Sequence, residues 1–114
     1  MNEKVRELTA EGWKKDVLEA RGPVLVDLWA GWCPPCRKMG PVIDELAQRF
    51  GDRATVGKLD VDRHPAIAER YGVRSIPTFL LFRDGQVVER RVGALPLEEL
   101  QALLAEQQDE VAAR

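Results

Sequence analysis

The segment Trp32-Cys33-Pro34-Pro35-Cys36 holds both cysteines of this 114-residue chain. Two sulfurs with two residues between them can close a small disulfide ring or open into two thiols. Where such a pair opens a helix, the first sulfur faces unpaired backbone N–H groups and the positive end of the helix dipole. That setting lowers a thiol pKa from about 8.5 towards neutrality, and the thiolate is the reacting species. The spacing therefore reads as a redox site. Cys33, at the helix start, is the expected nucleophile and is expected to be exposed. Cys36, one turn further in, is expected to be more buried. In the chemistry that follows, the Cys33 thiolate attacks a substrate disulfide and forms a mixed disulfide. Cys36, once deprotonated, attacks Cys33 and releases the reduced substrate. A structural zinc site competes with this reading, but zinc usually takes four protein ligands. Two cysteines and one distant His64 fall short, so no metal is expected. A purely structural disulfide would constrain so short a loop very little.

Asp27 is the second informative residue, because it interrupts the apolar run Val24 to Trp29. An unpaired buried carboxylate is costly and responds with a raised pKa. Such an acid beneath Cys36 could take its proton as general base and return it as acid. A hydrogen-bonded or edge-facing Asp with no role is the alternative, and strand period alone does not separate the two. Lys58, on the next strand, reads equally as a modulator of Asp27 or as a solvent-facing lysine. Ile76-Pro77 precedes an apolar strand, where a proline is tolerated. Only about 5–6% of X–Pro bonds are cis, so local sequence alone predicts trans. His64, just before Pro65, reads as an exposed helix cap.

The elements that must position these residues follow from periodicity. Thr9 can cap a helix to about Ala20, with Trp13 and Val17 on its inner face, ended by Gly22-Pro23. Val24 to Trp29 suits a strand buried on both faces. The cysteine motif then opens a helix striped with Met39, Val42, Ile43, Leu46 and Phe50. Ala54 to Val61 alternates as a strand, Pro65 to Tyr71 forms a short helix stopped by Gly72, and Thr78 to Phe82 is another apolar strand. Asp84-Gly85 signals a two-residue hairpin turn returning through Val87 to Val92. A last helix starts near Pro96, with Leu97, Leu100, Leu103 and Leu104 inward. The polar tail after about Glu106 is expected to fray.

The resulting order is β-α-β-α-β-α-β-β-α. It predicts an α/β fold with a central mixed sheet between helices, two crossovers giving parallel pairs and one hairpin an antiparallel pair. In open sheets of this kind, sites lie beyond the carboxyl ends of strands, and the cysteines follow Trp29. A chain of this length reads as one domain, residues 1–114. Apolar residues make up 45%, charged residues 32% and the net charge is −2, so neither a nucleic-acid footprint nor a membrane-binding basic face is indicated. No apolar stretch approaches the roughly 20 residues of a membrane span. The N-terminal Met-Asn-Glu-Lys-Val-Arg-Glu has no apolar leader core, so a cytoplasmic location is expected, although an exported form without its leader would read the same.

Val-Asp-Leu-Trp-Ala-Gly-Trp-Cys-Pro-Pro-Cys, Lys58 to Asp62, Tyr71 to Thr78 and Val92-Gly93-Ala94 resemble the successive signatures of the thioredoxin family, in order and spacing, over about residues 5–105. The resemblance implies a thioredoxin fold, a five-stranded mixed sheet flanked by four helices. It implies a protein-disulfide reductase that acts as an electron carrier in cell redox homeostasis. Cys33 then matches the attacking cysteine, Cys36 the resolving one, Asp27 the buried proton-transfer carboxylate and Lys58 its neighbour. Pro77 matches a cis-proline, overturning the trans expectation, and its missing N–H keeps the backbone from donating to the sulfurs. Trp32, Ile76, Pro77, Gly93 and Ala94 match the patch that docks substrate polypeptides, beside Pro34 and Pro35. Pro41 matches a helix-kinking proline and Trp29 a packing tryptophan. The implied partners are disulfide-containing proteins and a flavoprotein thioredoxin reductase supplying electrons from NADPH. No bound cofactor, nucleic acid or membrane is implied, and the protein is expected to be a monomer.

Pro34 departs from the family pattern, which has Gly there. Cys33 and Pro34 each precede a proline, which disfavours the α region at both and predicts a later helix start. Cys-Pro-Pro-Cys is frequent in exported relatives that serve cytochrome c maturation. Two other functions therefore stand beside the general reductase: a dedicated redox partner of one pathway, and a binding module whose cysteines turn over little.

Overall fold

The computed structural model describes residues 4–112, with side chains through residue 108. Five strands, β1 (Val5–Leu8), β2 (Val24–Trp29), β3 (Thr55–Asp60), β4 (Thr78–Arg83) and β5 (Gln86–Val92), form one mixed sheet. Its order is β1-β3-β2-β4-β5. The helices are α1 (Pro34–Lys38), α2 (Gly40–Phe50), α3 (Pro65–Arg70) and α4 (Leu97–Ala112). β2 is parallel to β3 on one side and antiparallel to β4 on the other. The sheet thus holds two antiparallel pairs, β2–β4 and β4–β5, where one hairpin alone was expected. The connection through α3 returns the chain on the far side of β2 in the opposite direction.

Side chains alternate across the sheet. Val24, Val26 and Leu28 face a core with Trp13, Leu59, Ile67 and Phe82. Leu25 faces the other core, with Ile43, Leu46, Phe79 and Leu100 from α2, β4 and α4. The apolar stripes expected on α2 and α4 are the faces that cover it. Because both faces are covered and both edges paired, every residue from Val24 to Leu28 is at most 1% exposed.

Three expectations need correcting. The helix expected over residues 9–20 is a single π-helical stretch, Lys14–Leu18. Thr9 Oγ1 accepts from the Gly12 N–H at 2.9 Å and caps only a turn. Trp13 and Val17 are nonetheless inward, and the Trp13 indole N–H donates to the Tyr71 hydroxyl at 3.0 Å. His64 occupies the cap position of α3 without a side-chain cap hydrogen bond. Its Nδ1 instead accepts from the Ala10 N–H at 3.2 Å, which ties the loop after β1 to α3. The tail does not fray at residue 106: α4 continues to Ala112. Gln107 is buried and accepts from Arg83, and Gln108 donates to the Arg53 carbonyl, so polar residues hold this last stretch down.

The hairpin turn is as expected, with positive φ at both Asp84 (52°) and Gly85 (79°). A Cβ on Gly85 would lie 2.9 Å from the Leu18 carbonyl oxygen. Gly85→Ala therefore meets both an unfavourable φ and a backbone collision, and is expected to destabilise the fold by about 1–3 kcal/mol. Urea unfolding checks this as a lowered midpoint with an unchanged slope.

Candidate active site

The motif leaves the carboxyl end of β2 and turns at once into α1. Cys33 is the cap residue of α1, with extended backbone (φ −93°, ψ 109°) as a following proline requires. Pro34 and Pro35 fill the first two helical positions. Pro34 is helical although Pro35 follows it, so the helix begins directly after Cys33. A proline in the first turn removes only an N–H that has no intrahelical partner. The first turn therefore offers few donors to the cap, and Cys33 Sγ accepts from the Cys36 N–H at 3.3 Å. Cys33 and Cys36 are joined as a disulfide with their Cα atoms 5.2 Å apart. The helix breaks at Met39, and Pro41 sits at the start of α2, where its missing N–H prevents an unbroken ladder.

Cys33 is not the exposed residue that its position at a helix start suggested. It is 3% exposed against 2% for Cys36. The reason is the neighbouring loop: Cys33 Sγ lies 3.8 Å from the Ile76 carbonyl oxygen. The Ile76–Pro77 bond is cis, as the family resemblance implied and the local sequence did not. Pro77 has no N–H to aim at the sulfurs, and its carbonyl accepts from the Gly93 N–H at 2.8 Å. That bond fastens the Gly93 turn to the proline loop, and Ala94 is exposed beside it. Trp32 is 65% exposed, and its indole N–H donates to Asp62 at 2.9 Å. Trp32, Val73, Arg74 and Ile76 line an open cavity of about 370 Å³. A mostly apolar groove therefore runs beside the disulfide, of the kind that takes an extended peptide.

Asp27 pairs in register with Lys58 on β3 and with Phe79 on β4. It is 1% exposed, and neither carboxyl oxygen has a hydrogen-bond partner. Burial raises its pKa from 3.8 to about 7, against a smaller lowering by the charge of Lys58. The edge-facing and hydrogen-bonded alternatives for Asp27 are thereby removed. Lys58 is half-buried, on the same face as Asp27, and not simply a solvent-facing residue. Sequence reasoning missed the part of Asp62, whose hold on Trp32 joins positions 30 residues apart in the chain. Only the proximity of Asp60-Val61-Asp62 to the end of a strand hinted at it. Among the described residues, no three His, Cys, Asp or Glu side chains group so as to hold a metal ion. No described helix is long and apolar enough to cross a membrane.

Comparison with known proteins agrees with this geometry. The family model described as Thioredoxin matches residues 4–106. Thioredoxin 1 of Synechococcus elongatus is 51% identical over 89 residues, covering 78% of this chain and 83% of that protein. Thioredoxin of Pseudomonas aeruginosa is 45% identical over 104 residues, covering 91% and 96%. A chloroplastic M-type thioredoxin of Spinacia oleracea is 46% identical over 96 residues, covering 84% of this chain and 53% of that one.

The buried carboxyl group also has a consequence for stability. Its pKa is about 7 when folded and 3.8 for an ordinary Asp. The folded state therefore binds the Asp27 proton more tightly, and the resulting stabilisation is complete below about pH 4 and lost as pH rises through about 7. The shift corresponds to roughly 4 kcal/mol. Asp27→Asn removes the loss, so the variant is expected to gain on the parent by a few kcal/mol between pH 4 and 8. Denaturant unfolding across that range checks it.

Proposed function

The chain belongs to the thioredoxin family and is a thiol–disulfide oxidoreductase of the protein-disulfide-reductase kind, and from that premise we propose the following division of labour among its residues. Cys33 is the nucleophile: its thiolate attacks one sulfur of a substrate disulfide, and the other substrate sulfur leaves as thiolate. Cys36 then gives up its proton and attacks Cys33 Sγ. The second substrate sulfur leaves, and the Cys33–Cys36 disulfide closes. The substrate has gained two electrons and, after protonation, becomes two thiols. Asp27, ionised, is the base that takes the Cys36 proton. The observation that carries this role is a carboxyl group buried without a hydrogen-bond partner, a setting that pushes its pKa up to about 7. A group with that pKa can both accept and release a proton at physiological pH.

Trp32, Pro34, Pro35, Ile76, Pro77, Gly93 and Ala94 form the docking surface. Its support is the apolar cavity beside Trp32 and Ile76 and the hydrogen bond from Gly93 to the Pro77 carbonyl. An extended substrate segment can lie there with its disulfide over Cys33. Electrons then come from NADPH through a thioredoxin reductase, the protein itself binding no cofactor. It works as a general electron carrier of the cytoplasm and contributes to cell redox homeostasis.

Cys36→Ser leaves the first attack intact and blocks the second. Mixed disulfides to Cys33 with many proteins are expected in non-reducing gels of cells expressing this variant. A single trapped species would instead make it a dedicated partner of one pathway, and none would make it a binding module. In the intact Cys33–Cys36 protein, Asp27→Asn is expected to slow turnover of a protein disulfide at pH 7 by about a hundredfold. The parent rate is expected to rise with pH through the Asp27 titration, and the variant to lose that step.

A further inference from the structure

Lys58 does not do what its position invites. It pairs in register with Asp27 on an adjacent strand, and paired strands lie about 4.8 Å apart. A lysine side chain spans that gap with length to spare, and an ammonium is the obvious partner for a buried carboxyl group. Yet both Asp27 oxygens lack a hydrogen-bond partner. The Lys58 Nζ instead lies 4.0 Å from the centroid of the Trp29 ring. Trp29 is two residues beyond Asp27 on β2, so it projects from the same sheet face. A cation over an aromatic face is attracted by the ring quadrupole, most strongly at tryptophan, and more so when partly withdrawn from water.

The surroundings sharpen the competition. Lys58 and Trp29 line an open cavity of about 410 Å³ that Arg6 and Glu7 from β1, Asp44 from α2 and Asp60 from β3 also line. Carboxylates therefore share the open cavity with Lys58, while Asp27 is buried opposite it on the adjacent strand. The ammonium has three places to go: outward to the carboxylates, inward to Asp27, or onto the indole between them.

We propose that Trp29 is a positioning residue whose ring holds the Lys58 ammonium at the cavity, away from the Asp27 carboxyl group, so that Asp27 is not locked into an ion pair. The proposal rests on the reading of Asp27 as the proton carrier for Cys36, to which it adds the means of keeping Asp27 free to exchange its proton. A closed Asp27–Lys58 pair would hold the carboxylate charged and drop its pKa well below the present value of about 7. Lys58 resting on Trp29 still attracts the charged form at a distance, which agrees with its lowering influence being smaller than that of burial.

The test is the titration of Asp27 in the oxidised protein, followed by the carbon-13 shift of its carboxyl group. Trp29→Leu removes the aromatic face and frees Lys58 to move inward, so the midpoint is expected to fall by about 1 pH unit or more. Trp29→Phe keeps a ring and is expected to hold most of the parent midpoint. The same Trp29→Leu change in a Lys58→Met background is expected to leave the midpoint of Lys58→Met where it was, since no ammonium remains to move. Fluorinated tryptophan at position 29 supplies a version that keeps the shape and weakens the ring face, and is expected to lower the midpoint as well. An unchanged midpoint in Trp29→Leu, or an equal fall with and without Lys58, would overturn the proposal, because Trp29 would then act through packing or water access alone. The catalytic reading of Asp27 stands or falls separately, on the turnover of Asp27→Asn, so the failure of one is distinguishable from the failure of the other.

Discussion

β2 is covered on both faces and paired on both edges, and the rest of the molecule is arranged around that burial. A backbone buried this thoroughly must have its N–H and C=O groups paired. β3 and β4 supply the pairing, α2 and α4 cover one face, and α3 with the Trp13 turn covers the other. The strand is then rigid where it ends, and the cysteine motif begins three residues past that end. The same burial makes the one ionisable group on the strand expensive to charge. The carboxyl group is buried, neither of its oxygens has a hydrogen-bond partner, and burial pushes its pKa up to about 7. Redox geometry and proton chemistry thus have one origin.

Around that strand end, each part of the site is held by a contact from a different segment. The Ile76 carbonyl meets Cys33, the Pro77 carbonyl meets Gly93, and Asp62 holds Trp32. Segments from distant parts of the sequence are therefore fastened to the cysteine motif, Asp62 and Ile76 directly and Gly93 through Pro77. A site built this way has little to rearrange before a substrate docks, which keeps the cost of ordering low.

Much of this was legible in the sequence, for reasons that differ by residue. The Cys33–Cys36 spacing and the continuous apolar run of β2 are local signals, and both are read without a structure. Asp27 stood out because a charged residue within such a run needs an explanation. The hairpin at Asp84-Gly85 followed from the backbone freedom of those two residues. What could not be read locally were contacts between segments. The burial of Cys33 depends on a loop more than 40 residues away, and the cis state of Ile76–Pro77 followed from family resemblance alone. The expected order opens on a strand, but β1 has one buried residue in four and alternates too briefly for its bounds to be read locally. The stretch after Glu106 looked polar enough to fray because its partners, Arg83 and Arg53, lie on other elements.

The central claim is that this site works as a reductant of protein disulfides. Its most direct measurement is the equilibrium potential of the Cys33–Cys36 pair, read by thiol trapping of the protein in glutathione or dithiothreitol buffers of known poise. A value near or below about −250 mV is predicted, where the reduced protein can drive substrate disulfides open in a reducing compartment. A value above about −200 mV would contradict the account, since the pair would then sit with oxidising or isomerising thiol proteins.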